Sequence, residues 1–165
     1  MDFRGKLIPV CVLATVLAVA WAVFGVDWDS RAVKKRFDSL AELVEKDGPV
    51  SSIEALGRGR KLVQYFSEGA FVEYYPGREL PRNMDAMGVA FVSVWQRIDE
   101  ASITVVRHKV DLADSKESAE SLLSARCSVI LDGSERMGDT LRYRIYWIKR
   151  DGDWLIERMV VDGTP

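Results

Sequence analysis

After Ser102 the chain adopts a period of two, and this alternation limits its folds more than any other feature. Val106, His108, Val110 and Leu112 fall on one side of an extended run, with Arg107, Lys109 and Asp111 on the other. Residues 114–118 are turn material. A second run sets Leu123, Ala125, Cys127, Val129 and Leu131 against Ser124, Arg126 and Ser128, and Asp132-Gly133 opens a polar loop that extends to about Asp139. A third sets Leu141, Tyr143, Ile145 and Trp147 against Arg142, Arg144 and Tyr146. Asp151-Gly152 then reads as a hairpin turn before a last strand over 154–161. Side chains of a strand point alternately to its two faces, so these runs are strands with one covered and one wet face. Short links between consecutive strands make the neighbours antiparallel.

The first half of the sequence is helical in pattern. Over residues 30–47, Val33, Phe37, Leu40 and Val44 recur at helical spacing. Asp29 or Ser30 caps this helix and Gly48-Pro49 ends it. Its Lys34-Lys35-Arg36 triplet reads as a solvated face, with anionic lipid heads as the sharper alternative. A second helix spans 52–67, opened by a Ser51 to Glu54 capping box, with Ile53, Leu56, Val63 and Phe66 as its apolar stripe. Gly57 and Gly59 suit a close helix crossing, and the run 57–61 lacks the spacing of a phosphate loop. Residues 71–75 form a short strand ended by Pro76-Gly77. A third helix over 83–99 carries the stripe Met84, Met87, Phe91, Val94 and Ile98. Helices, one short strand, a helix and four long strands make an α+β fold. Its solution is a curved antiparallel sheet packed on three helices, with a cone between the layers.

Residues 7–26 belong to a different solvent. They contain no charge, and 17 of the 20 are apolar. A bilayer core about 30 Å thick needs about 20 such residues in a helix. Arg4 and Lys6 precede the run, Asp27 and Asp29 follow it, and Trp21, Phe24 and Trp28 gather at its end, as interfacial aromatics do. The expected layout is a cytoplasmic N-terminus over 1–6, a transmembrane helix over 7–26 and a domain outside the cytoplasm over 27–165, attached to the inner membrane. Cleavage of a signal peptide after Ala18-Val19-Ala20, releasing a secreted domain, stays open.

The order α-α-β-α-β-β-β-β, closing on Ile148-Lys149-Arg150-Asp151-Gly152-Asp153-Trp154-Leu155-Ile156, resembles the nuclear transport factor 2-like superfamily. That superfamily includes the SnoaL-like polyketide cyclases and the ketosteroid isomerases. Residues 62–78, ending in Pro76-Gly77-Arg78, resemble the segment between its second and third helices. The resemblance covers roughly residues 30–162 and implies a cone-shaped, cystatin-like pocket. It implies no single activity, since members include isomerases, dehydratases, cyclases, transport adaptors and membrane-anchored assembly subunits. The isomerases use a carboxylate base with a Tyr and a second acid. The inward strand faces as read above carry no Asp or Glu, and Asp111 lies opposite to the His108 face.

His108 is the single histidine. It fits either a general base or a buried imidazole held by a backbone group or a Tyr, and no catalytic residue is assigned beyond it as a candidate. Tyr65, Tyr75, Trp95, His108 and Tyr143 are the pocket-lining candidates, with Tyr74 beside them. Cys127 reads as a buried thiol. Arg126, Arg142 and Arg144 face outward, as solvated ladders or as a patch for phosphate or carboxylate. No metal or cofactor is expected, because one His without a Cys or carboxylate cluster makes no zinc site. The net charge of −2 argues against nucleic acid. Two cysteines exclude a disulfide scaffold. The reading is a membrane-anchored, non-catalytic domain binding an envelope protein, a small apolar ligand or a second copy. Tyr146, Ile148, Leu155, Met159 and Val161 supply the outer face for a dimer. The alternative is a SnoaL-like isomerase, cyclase or hydrolase using a pocket His or Tyr.

Overall fold

The structure, a computed structural model, describes residues 27–163. The expected transmembrane segment over 7–26 lies outside the described residues. Among the described residues no helix is long and apolar enough to cross a membrane.

Helix α1 (Trp28–Val44) starts where the Asp27 carboxylate accepts the Ser30 amide at 3.4 Å, slightly upstream of the expected cap. It buries Val33, Phe37, Leu40 and Ala41. It also ends earlier than Gly48-Pro49, because Lys46–Asp47 leave it as a two-residue strand, β1. Lys46 explains the departure. Its side chain is 7% exposed. The ammonium donates to the carbonyls of Trp95, at 3.1 Å, and Ile98, and stands 4.7 Å above the Trp95 ring. A buried charge needs such partners.

Helix α2 (Ser52–Leu62) is capped as expected, Ser51 Oγ accepting the Glu54 amide at 3.2 Å. A single 3-10 turn over Val63–Tyr65 follows, and strand β2 (Phe66–Tyr75) begins where the sequence suggested continued helix. After the Pro76-Gly77 turn comes the short β3 (Arg78–Glu79), then helix α3 (Met84–Gln96) with Asn83 as its cap. Helix α2 does not use the apolar stripe read from the sequence, while α3 keeps Met84, Met87 and Phe91 of its stripe on the core and turns only Val94 outward. Ile53 is 83% exposed and Leu56 and Val94 are exposed, while Ala55, Gly59, Leu62, Met87, Val92 and Trp95 are buried. The reason is the crossing. A Cβ on Gly59 would lie 2.6 Å from Val92 Cγ2 and 3.1 Å from the Gly88 carbonyl oxygen. The helices touch backbone to backbone through small residues, which turns the larger Ile53 and Leu56 outward.

The four long strands are β4 (Ile98–Leu112), β5 (Ser118–Leu131), β6 (Met137–Arg150) and β7 (Asp153–Val161). They pair antiparallel in sequence order, as expected. The complete sheet has the order β1-β4-β5-β6-β7-β2-β3, and β2 lies parallel to β7. The sheet is therefore mixed, not wholly antiparallel. No hairpin joins β2 to β7, so nothing local fixes their relative direction. The sheet curls into a half-barrel over the three helices.

Of the register irregularities in the sheet, those at Val106 and Glu157 move residues off their expected faces. An extra residue, Val106, lies between Val105 and Arg107 on β4. Ile103 and Val105 pack on the core before it, and Val110 and Leu112 after it, while Val106 itself is 60% exposed. On β7 the register slips at Glu157, opposite Tyr146 and Trp147. Trp154 and Ile156 are buried before the slip, and Met159 and Val161 pack on the core after it. Val106 thus does not share the His108 face, and Met159 and Val161 do not join Tyr146, Ile148 and Leu155 outside. A bulge inserts one residue and flips every position beyond it.

The crossing is testable in urea. Gly59→Ala should lower stability by about 1–3 kcal/mol through overpacking. Gly57→Ala, whose Cβ would meet nothing within 4 Å, should raise it by up to about 1 kcal/mol through helix propensity.

Candidate functional site

The inner faces of β5 and β6 carry a polar node inside the apolar core. Ser121 is fully buried, and its hydroxyl accepts the indole N–H of Trp147 at 2.9 Å. The same oxygen lies 3.1 Å from Nε2 of His108. With its acceptor side engaged by the indole, the hydroxyl can donate its own proton to an unprotonated Nε2. The imidazole meets the Phe37 ring edge-on, with centroids 5.4 Å apart. Burial pushes His108 down to about 4, the Lys34 ammonium acts in the same direction, and Asp38 opposes them. His108 is therefore neutral at pH 7. No carboxylate hydrogen-bonds it, and Nδ1 is buried without a partner. A general base needs a pKa near the working pH, and burial moves His108 away from it.

A second group lies on the same side of the sheet. The Tyr143 hydroxyl donates to the Tyr74 carbonyl at 2.8 Å, and the Cys127 thiol lies within hydrogen-bond reach of that hydroxyl. Asp139 is the cross-strand partner of Cys127 and shares the parity of Leu141 and Tyr143. Burial raises the Tyr143 phenol and the Cys127 thiol above their usual ranges, and the negative charge of Asp139 adds to both. Phenol and thiol stay protonated at neutral pH, as hydrogen-bond donors and not as nucleophiles. Asp139 corrects the expectation that the inner faces hold no acid. Strand β6 begins at Met137, so the residue assigned to a loop lies in the ladder.

The remaining candidates lie elsewhere. Trp95 belongs to a separate small core with Ala55 and Val92, where its indole N–H donates to the Val44 carbonyl at 3.0 Å. Lys46 and Arg58 stand over its ring, and Phe91 stacks on it. Tyr65 is half-buried under the Arg36 guanidinium, 4.2 Å from the ring centroid. Tyr75 is 48% exposed beside the Pro76-Gly77 turn, and Tyr74 is exposed next to it. Of the five pocket candidates, His108 and Tyr143 lie on the inner sheet face and bind separate partners, and Tyr65 packs against the edge of the same core. Two residues not singled out bear on this space: Ser121, buried at its centre, and the exposed Asp139, whose charge reaches Cys127 and Tyr143. Both continue the alternation of apolar neighbours, Leu123 for one and Leu141 for the other, and that parity was the available signal.

An open cleft of about 550 Å³ lies on the other side of the molecule, lined by Glu45, Lys46, Arg58, Glu100 and Arg136 among others. Several of its charges are engaged. Arg58 pairs with Glu54, Arg136 with Glu100, and Glu45 accepts the Ile103 amide at 3.1 Å. Among the described residues no three His, Cys, Asp or Glu side chains stand together as metal ligands.

The sequence matches no protein-family model and no curated protein. Solved structures do match. A Salmonella enterica serovar Typhimurium protein named as a nuclear transport factor 2-like superfamily member superposes with a TM-score of 0.65 at 11% identity, over 83% of this chain and 92% of its own. The fold is nuclear transport factor 2-like. A Xanthomonas campestris protein named as a calcium/calmodulin dependent protein kinase II association domain gives 0.63 at 17% identity, covering 82% and 87% of the two chains. A Novosphingobium aromaticivorans protein named as a scytalone dehydratase gives 0.60 at 16%, covering 82% and 85%. At these identities the nuclear transport factor 2-like likeness establishes the fold alone.

His108 makes stability depend on pH with a defined sign. Its folded value of about 4 lies below the unfolded 6.5, so the unfolded chain holds more protons between the two. The contribution is complete above about pH 6.5 and is lost as pH falls toward 4. It amounts to on the order of 1–3 kcal/mol, allowing for partial solvation of the ring. His108→Gln should flatten this part of the profile relative to the parent, read as urea midpoints from pH 4 to 8.

Proposed function

We propose that this protein is a binding domain, held at a membrane by residues 7–26, that engages a partner without turning over a substrate. The observation that carries this reading is the apolar lining of the interior. Met87, Phe37, Leu62, Phe66, Leu123, Ile145 and Trp147, each no more than 5% exposed, occupy the space between helices and sheet. The one histidine sits among them neutral and without a carboxylate. A tether supports the same conclusion, because it concentrates a binding surface at one place, whereas an enzyme of soluble metabolites gains little from it. The sequence run 7–26, with Arg4 and Lys6 ahead of it, supports an extracytoplasmic domain.

A small-molecule reading has one observation of its own. Asp139, Cys127 and Tyr143 place a carboxylate, a thiol and a neutral phenol on one inner face. This is the kind of donor and acceptor set that orients an enolic or phenolic ligand. The neighbour named as a scytalone dehydratase is in keeping with that alternative.

The two readings separate cleanly. Intact protein, cross-linked in its native membrane and purified, should bring down a stoichiometric protein partner. Tyr143→Phe and Asp139→Asn should leave that recovery within about twofold. A bound small molecule in place of a partner, lost in either variant, sinks the non-catalytic reading. Carbonate extraction and protease protection of the full chain test the tether. A chain released by carbonate, or a domain shielded on the cytoplasmic side, contradicts it.

A further inference from the structure

One end of the domain is built from three segments that lie far apart in sequence. The main-chain N–H of Lys149 donates to the Glu117 carbonyl at 2.7 Å, which sets the turn 113–117 beside the turn that joins β6 to β7. The Lys149 ammonium reaches Asp29, in the first turn of α1, at 2.6 Å, and the Lys116 charge acts on the same carboxylate. Residues 113–117 and 150–153 are exposed throughout, and Trp28, next to Asp29, is 65% exposed. The opposite end holds Arg97 and the loop after β5, where the Asp132 amide donates to the Arg97 carbonyl at 3.0 Å. The 14 residues of β5 separate the two ends by on the order of 40 Å of strand.

Asp27 alone separates Trp28, the first residue of α1, from the uncharged run 7–26. A helix of about 20 residues is about 30 Å long, the thickness of the bilayer core. The chain from Val26 to Trp28 reaches at most about 7 Å, and the headgroup layer on each side of the core is about 5–7 Å deep. A chain that spans the core through this run therefore delivers Trp28 to the headgroup layer. An indole, apolar in its ring and polar at its N–H, suits that layer. The start of α1 cannot swing free of the domain, because Asp29 is bonded to Lys149 and Arg36 to the turn before β2.

We propose that this end of the domain, Trp28 with the turns 113–117 and 150–153, is seated against the zwitterionic headgroups of the bilayer that the run 7–26 enters. The proposal rests on the tether in the binding reading above and gives the domain one orientation on it. The exposed charges at this end are of both signs, Arg31, Lys116 and Arg150 among Asp114, Glu117 and Asp151. Such a mixture matches headgroups that carry a phosphate and an amine together. A strongly acidic or strongly basic protein surface would meet its own sign here, which is costly at a contact. The opposite end, with the exposed Val94 of α3 and the loop 132–136, then points away from the membrane.

The experiment uses the full chain in phosphatidylcholine vesicles that include a lipid with a nitroxide on its headgroup. Single cysteines carry a bimane fluorophore in a Cys11→Ala/Cys127→Ala background, with Cys127→Val in its place if the alanine unfolds the domain. Asp114→Cys and Arg150→Cys mark the near end, and Val94→Cys and Glu135→Cys mark the far end. Quenching should be at least about twofold stronger for the near pair, since only that pair reaches the headgroup layer. A flexible linker of about 12 Gly and Ser residues before Asp27, spanning about 20 Å, should bring the near pair down toward the far pair. Equal quenching at both ends, stronger quenching at the far end, or no response to the linker overturns the seat. Near labels shielded from both the nitroxide and aqueous iodide place a second copy at this end and overturn it too. Each of these results leaves the tether standing, whereas release of the chain by carbonate fails the tether and the seat with it.

Discussion

A sheet with one apolar face cannot stand in water until something covers it. Helix α1 is the main cover here, and the rest of the architecture depends on its seat. Val33, Phe37 and Leu40 enter one core cluster with Leu123, Ile145, Trp147, Trp154 and Ile156. The start of α1 is pinned by Asp29, which accepts from the Lys149 ammonium at 2.6 Å. That hydrogen bond holds the Asp29 carboxyl below its usual range. Further along, Arg36 donates to the Gln64 carbonyl at 2.6 Å. The helix is therefore fixed to the sheet at one point and to the turn before β2 at another, and its apolar stripe can face only inward.

The polar atoms inside this core are arranged for permanence. Ser121 joins the Trp147 indole to His108 Nε2, leaving Nδ1 without a partner, and Tyr143 reaches across to a main-chain carbonyl. Such internal bonds offset the cost of burying polar groups, and burial itself keeps phenol, thiol and imidazole neutral. A site built to transfer protons has titratable groups whose values are pushed toward working pH. The shifts in this protein lead away from it, His108 downward and Tyr143 and Cys127 upward.

The long strands were legible because period two survives in any single sequence, as Leu123 to Leu131 and Leu141 to Trp147 demonstrate. Parity carried His108 and Tyr143 to the correct face. The bulges at Val106 and Glu157 were not legible, since an inserted residue looks like any other until its partner strand is known. Their cost was the misplacement of Met159 and Val161. The stripe of α2 failed for a different reason. Two helices in contact through Gly59 and Gly88 bury small residues, so the apolar moment of α2 pointed away from its neighbour. Trp95 was aromatic and therefore attractive as a pocket residue, but which core an aromatic joins is set by tertiary packing. Lys46 left no signal at all, because a buried lysine is distinguished only by the carbonyls around it.

The bulge at Val106 also bears on how this protein behaves in crowded solution. Strand β4 lies beside β1 only at Glu100 and Ala101, so among the described residues no strand flanks the rest of that border. An open border of main-chain donors and acceptors is a template for uncontrolled stacking of sheets. Here Glu45 occupies the Ile103 amide, the bulge twists the strand just beyond it, and Arg107, Lys109 and Asp111 line the remainder with charge. The same interruption that misdirects a reader of the alternation works as a guard against fibrillar assembly.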